Sequence, residues 1–253
     1  MTPKQRINHI TRWIKSYATK HKITTLVVGI SGGIDSAVVS TLSARTGLPT
    51  IAVSMPIKQS KSTHSLSLAH GQWLTHKFDN ATHMTVDLTP TFRQFETCFV
   101  NPSDLGLANS RSRLRMMCLY QIAQGQDGIV VGTGNRVEDF GVGFFTKYGD
   151  GGVDISPIGD CMKTEVWAMG QELGVLDEII TAAPTDGLWD DGRTDEDQLG
   201  MTYQALEQMM RWDSEGQVPT PADRAKLRRY QSIRARNLHK MQPIPVCAMP
   251  VDQ

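Results

Sequence analysis

The sequence is short of cysteine, has no surplus of either charge and contains no long apolar run. Its four cysteines, Cys98, Cys118, Cys161 and Cys247, lie far apart. That spacing excludes a zinc knuckle or a redox dithiol and leaves reduced thiols, buried or incidental. The 26 basic residues balance the 26 acidic ones. A nucleic-acid protein usually carries a basic surplus, so no nucleic-acid partner is expected. The opening stretch MTPKQRINHITRWIKSYATKHK has no apolar core, so neither a signal peptide nor a membrane segment is expected, and a cytoplasmic, reducing setting follows by default. Internal repeats, low-complexity tracts and an obvious linker are missing too. What is present is ordinary for a globular protein, 40% hydrophobic and 21% charged over 253 residues. One domain over residues 1–253 is the simplest organisation, with C-terminal helices and a tail from about residue 201.

Ile7, Ile10, Ile14 and Tyr17 recur at helical spacing and predict an amphipathic helix over 4–20. ITTLVVGI, residues 23–30, is a short β-branched run that reads as a buried strand, and the helix that follows gathers Ala37 to Ala44. Further strands are expected at 50–56, 83–88 and 127–133, with helices at 62–77 and 107–124 between them. Strands alternating with helices imply an α/β fold, a Rossmann-like parallel sheet with helices on both faces. Ligands in such sheets bind beyond the carboxyl ends of the strands, so the loops after Ile30, Pro56, Leu88 and Thr133 should share one rim. Residues 132–159 are glycine-rich and suit irregular structure. A helix is expected at 163–173, a polar acidic loop at 184–200, and two helices near 202–212 and 221–238.

The segment VVGISGGIDSA passes from strand to helix. Gly29, Gly32 and Gly33 allow a phosphate to approach the backbone closely, while main-chain N–H groups, the hydroxyls of Ser31 and Ser36 and the helix N-terminus can surround it. It is not the Walker pattern, because GxxxxGK[ST] is absent. A carboxylate at Asp35 would repel phosphate unless a metal bridged them, so Asp35 is a candidate magnesium ligand, and Glu138 could supply a second carboxylate. NSRSRLRM, residues 109–116, carries three arginines on a predicted helix. At about 100° per residue Arg111 and Arg115 share a face and Arg113 points away, so the three cannot grip one phosphate. GTGNRVEDFGVGFFTKYGDGGVDISPIGDCMKTEV, TDEDQLGMTY and LHKMQPIP complete the set of distinctive stretches.

SGGIDS resembles the loop of the pyrophosphatase-type P-loop ligases, which cleave ATP between the α and β phosphates. FFTKYGDGG and its surroundings resemble the NAD synthetase signature, and NSRSRLRM resembles that family's N-x-x-A-R-x-R-M, with Ser112 in place of the usual alanine. The other two stretches resemble T-D-E-x-E-L-G-x-x-Y and H-K-R-x-x-P, with Gln198 and Met241 as departures. The resemblance runs from about Ile23 to Pro245 and implies an adenine nucleotide alpha hydrolase-like sheet. It assigns ATP to Gly29, Ile30, Ser31, Gly32, Gly33, Ile34, Asp35 and Ser36 together with Thr133, Lys163 and Thr185. It assigns deamido-NAD to Arg113, Lys147, Asp154, His239 and Lys240, the last two often reaching from a neighbouring subunit in that family. Magnesium falls to Asp35 and Glu138, and the acting groups are Asp35, Lys163 and Asp154. A homodimer is implied as well.

The activity implied is ammonia-dependent NAD synthesis, the last step of NAD biosynthesis. The nicotinate carboxylate attacks the α-phosphorus of ATP, and ammonia then displaces AMP from the acyl adenylate. No protein nucleophile is required; positioning and charge neutralisation suffice. Asp150 or Asp154 could orient or deprotonate ammonium, and the sequence leaves both open. A glutamine-hydrolysing domain of roughly 250 residues has no room in the chain, so free ammonia, or ammonia from a partner, is the expected donor. Two rivals remain: another adenylating ligase acting on a nucleotide or tRNA base, and a nucleotide-binding module without turnover. Paired cysteines and a basic surface would favour the first, and loss of Asp35, Ser36, Glu138 or Lys163 the second; the sequence has neither feature.

Overall fold

The computed structural model describes residues 1–58, 61–185, 187–188, 193–216, 220–221 and 223–249. Helix α1 (Pro3–His21) opens with a reciprocal cap, in which Thr2 Oγ1 accepts from Gln5 N–H and Gln5 Oε1 accepts from Thr2 N–H. Its Ile7, Ile10 and Ile14 are buried, as their spacing requires. Next come β1 (Thr25–Gly29), α2 (Ile34–Ala44), β2 (Thr50–Ser54), α3 (Lys61–Lys77) and β3 (Ala81–Thr85). They are followed by α4 (Thr89–Glu96), α5 (Asp104–Gln124) and β4 (Gly128–Val130). The four strands form a parallel sheet in the order β3-β2-β1-β4. The expected α/β architecture is therefore present, and the strand order reverses between β1 and β4.

Alternation along β1 sorts the two faces. Leu26 and Val28 pack with α1, α2 and α6 (Lys163–Leu173) through Ile7, Ile14, Val38 and Met169. Val27 turns to the other face, against Phe92, Met116 and Leu119 of α4 and α5. Each such fully buried aliphatic side chain contributes roughly 1.5–3 kcal/mol relative to exposure. Beyond the sheet, a π-helical turn (Arg136–Val142) packs with α8 (Asp195–Leu199), α9 (Tyr203–Glu215) and α10 (Arg224–Met241) around Val137, Leu206, Tyr230 and Ile233. The short helix α7 (Asp177–Ile180) links α6 to this region.

Two expectations need correction. β3 spans Ala81–Thr85 rather than 83–88, because Ala81 pairs with Thr50 and Thr85 with Ser54. Val86 and Leu88, which suggested a longer strand, instead pack under α4 and α5. The residues after β3 run into α4, whereas the loops after β1, β2 and β4 meet at one cleft. Three strand ends, not four, form the rim.

Candidate active site

The cleft has a volume of about 430 Å³, ordinary for a small-molecule site, and opens where the strand order reverses. Residues 29–36 form its floor. Gly32 has φ +92°, a backbone angle that side-chain-bearing residues avoid, and Gly29 lies against Leu119 and Met55. Ser36 Oγ donates to Gly33 O at 2.9 Å and accepts from Ser31 N–H at 3.2 Å, so the turn is tied to the first turn of α2. No side chain caps α2, and its first residues, Ile34 to Ser36, line the cleft, where an uncapped helix N-terminus favours an anion.

Above this floor stands a buried ion cluster. Lys163, the first residue of α6, is 2% exposed and donates from Nζ to Asp35 Oδ2 at 2.6 Å and to Glu138 Oε1 at 2.9 Å. Asn135 locks the arrangement. Its Oδ1 accepts from Val137 N–H at 3.0 Å and Glu138 N–H at 3.1 Å, starting the π-helical turn, while its Nδ2 donates to Asp35 Oδ1 at 3.0 Å. π-turns recur at functional sites because they re-aim side chains, and this one aims Glu138 at Lys163. The hydroxyl of Tyr203 donates to Glu138 and lies 3.1 Å from Asp195 Oδ2, with its ring 4.7 Å from the Lys163 ammonium.

Electrostatics separate the two acids. Burial pushes the Asp35 carboxyl above the usual range against the pull of Lys163, and Glu138 adds to the rise. Glu138 moves the opposite way: against its own burial, Lys163, Tyr203 and Asn135 hold its carboxyl low. Lys163 overcomes burial because two carboxylates face it, so it stays protonated at any physiological pH. A second pair of acids lines the same cleft. Asp139 is pushed well up by burial and by Asp150, Glu138 and Asp35, with Lys240 in opposition. Asp150 touches the open cleft, yet the protein packed around it raises its carboxyl against hydrogen bonds from Ser112 and Thr146.

The structure brings most of the sequence-derived residues to this place. Gly29 to Ser36, Thr133, Glu138, Lys163 and Thr185 all line the cleft. Arg113, Lys147, His239 and Lys240 gather at one exposed edge: Arg113 Nε donates to Lys147 O at 3.1 Å, and Lys147 Nζ reaches His239 O at 3.5 Å. Lys240 Nζ donates to Phe145 O at 2.7 Å. Asp154 is not brought to the cleft; its carboxylate accepts from Tyr120 OH at 3.0 Å and Val130 N–H at 2.8 Å, beside β4. The arginines divide as their spacing requires, with Arg111 and Arg115 turned inward to Leu188 O and Met55 O and Arg113 exposed. Thr194 does cap α8, accepting from Asp197 N–H at 3.1 Å. Asn135, Asp139, Asp195 and Tyr203 were not expected. Asp195 and Tyr203 lie in a stretch singled out by its pattern, but only the fold shows that Tyr203 reaches Glu138 and that Asp195 meets the Tyr203 hydroxyl.

A family model described as NAD synthase matches residues 6–244, so the match takes in α1, which carried no motif. The NH(3)-dependent NAD(+) synthetase of Carboxydothermus hydrogenoformans is 36% identical over 210 residues, 80% of this chain and 83% of its own. That of Alkaliphilus metalliredigens is 34% identical over 251 residues, 95% of this chain and 97% of its own. Among solved structures, the NMN synthetase from Francisella tularensis superposes with a TM-score of 0.86 at 32% identity, covering 98% of this chain and 100% of that one.

Proposed function

The chain belongs to the NAD synthase family, and from that premise we propose that its cleft amidates deamido-NAD with ammonia, converting ATP to AMP and pyrophosphate. The observation that carries the reading is the Lys163 ammonium held between Asp35 and Glu138 directly above a glycine turn at a helix N-terminus. Residues 29–36 take the phosphates through main-chain N–H groups and the Ser31 and Ser36 hydroxyls. Thr133, Lys163 and Thr185 complete the ATP contacts. The basic edge of Arg113, Lys147, His239 and Lys240 suits the phosphates of deamido-NAD, and Asp154 is assigned to that substrate through the resemblance alone. Because the cleft is lined from the sheet, α5, α6 and α8 alike, residues 1–253 are read as one domain.

The nicotinate carboxylate oxygen attacks the α-phosphorus, the bond to the β-phosphate oxygen breaks, and an acyl adenylate and pyrophosphate form. Ammonia then attacks the carbonyl carbon, AMP departs, and a proton leaves the new amide nitrogen. The protein holds carboxylate and α-phosphorus in line and offsets charge with Lys163 and the α2 dipole. Of the two acids considered for the nitrogen donor, geometry favours Asp150, which lines the cleft, over Asp154, whose oxygens are engaged beside β4.

Asp35 and Glu138 already converge on one cation, and burial together with neighbouring carboxylates raises the carboxyls of Asp35 and Asp139. Among the described residues no group of three or more metal-ligating side chains forms a ready-made cage. Two carboxylates completed by phosphate oxygens fit the way magnesium is held with nucleotides. Magnesium bound by Asp35 and Glu138 would neutralise phosphate charge. A homodimer is proposed from the resemblance, supported by the exposed apolar side chains Phe95, Phe99, Val100 and Leu105. No described helix is long and apolar enough to cross a membrane; a cytoplasmic setting is proposed from the substrates.

A second reading rests on the Francisella neighbour: the same amidation on a mononucleotide, nicotinate mononucleotide, giving NMN. One comparison tests both. With ATP, magnesium chloride and ammonium chloride, deamido-NAD is expected to give a kcat/KM at least tenfold above that for nicotinate mononucleotide. The reverse ratio would establish the second reading, and turnover of neither would refute the proposal.

A further inference from the structure

Ser112 stands where the N-x-x-A-R-x-R-M segment of the resembled family has alanine, and the structure gives its hydroxyl a definite task. Ser112 Oγ donates to Asp150 Oδ1 at 2.6 Å and accepts from Asp150 N–H at 2.9 Å. Thr146 N–H donates to the same Oδ1 at 3.1 Å, and Thr146 Oγ1 is anchored by donation to Asn109 Oδ1 at 2.6 Å. Ser112 thus joins Asn109 and Arg113 in tying helix α5 to the 146–152 turn, and of the three it is the one bonded to Asp150. A Cβ at Gly149 would overlap Ser112 Oγ, so glycine is what lets the turn come this close. Among the described residues nothing donates to Asp150 Oδ2. Asp150 and Ser112 both line the cleft, together with Glu138 and Asp139.

We infer that Ser112 is a positioning residue for the nitrogen donor: by occupying Oδ1 it fixes the Asp150 carboxylate so that Oδ2 faces the cleft and receives ammonium. This rests on the assignment of Asp150 to the donor made above. Two hydrogen bonds on one oxygen stop the carboxylate rotating about its terminal torsion, which is broad and nearly two-fold when unrestrained. A hydrogen bond to a charged group is also stronger than one between neutral groups. Ser112 touches no reacting atom in this scheme and acts only through Asp150.

The test is a double-mutant cycle on the full-length enzyme, with ammonium chloride as the varied substrate. Ser112→Ala, which installs the family's residue and keeps a good helix former, is expected to raise KM for ammonium about tenfold, a typical consequence of losing one charge-assisted hydrogen bond. Its kcat and its KM for ATP should stay within about twofold of wild type, a split that a general loosening of α5 would not produce, while its Tm should fall by no more than the few degrees that one lost hydrogen bond costs. Asp150→Asn should raise KM for ammonium further, and adding Ser112→Ala to it should change nothing more. If Asp150→Asn weakens ammonium use while Ser112→Ala alone does not, or if the two effects add, the role of Ser112 is refuted and Asp150 stands. If Asp150→Asn leaves KM for ammonium untouched, the Asp150 assignment falls and Ser112 falls with it.

Discussion

At the scale of single residues, the cleft is a contest between burial and pairing. Lys163 answers the charges of Asp35 and Glu138, whereas Asp139 faces Asp150, Glu138 and Asp35 with the half-buried Lys240 in opposition. Ionising Asp139 in the folded protein is therefore unfavourable, and its carboxyl is raised. An acid raised in the native state costs nothing below its unfolded value near 4; the cost grows as pH climbs toward the folded value and is constant above it. Asp139→Asn should remove that cost, stabilising the ligand-free protein by on the order of 1–3 kcal/mol at pH 8. For a chain of this size the rise in Tm is roughly 2–4 °C per kcal/mol. Thermal melts should show the gain shrinking toward pH 4; a loss of stability at pH 8, or a gain independent of pH, would contradict the electrostatics described here. None of this was legible in the sequence, because Asp139 follows Glu138 in a stretch with no helical or strand period and only the π-turn turns both acids inward.

At the scale of elements, legibility followed periodicity. The α6 boundaries at Lys163 and Leu173 and the core isoleucines of α1 were readable because a 3.6-residue period survives in them. The inward and outward arginines of α5 were readable for the same reason. β3 was misplaced because Val86 and Leu88 supply apolar side chains after the pairing with β2 has ended. The choice between Asp150 and Asp154 needed the turn geometry that follows Thr146, which no spacing rule supplies. The glycine turn was recognisable, yet the need for Gly134 was not: a Cβ there would overlap the Asp139 carboxylate, next to the Asn135 cap that starts the π-turn. Gly134→Ala should displace that turn, destabilising the protein by about 1–3 kcal/mol through overpacking. Because Glu138 rides on the same turn, turnover should fall at least tenfold, and pairing the change with Asp139→Ala should recover most of the lost Tm. Wild-type melting and rates in Gly134→Ala would show that the turn tolerates the shift.

At the scale of the whole molecule, a chain with no net charge concentrates acid in the cleft and base along one edge. The basic edge suits a substrate that carries phosphates. Composition showed no basic surplus and could not reveal the edge, since Arg113, Lys147 and Lys240 are far apart in sequence. In the proposed reaction the cleft joins the substrate carboxylate to the α-phosphorus of ATP before ammonia arrives. Deamido-NAD labelled with oxygen-18 in its carboxylate tests this step directly. Mass spectrometry should find one labelled oxygen in the AMP phosphate and none in pyrophosphate, whereas unlabelled AMP, or label in inorganic phosphate released with ADP, would contradict the account.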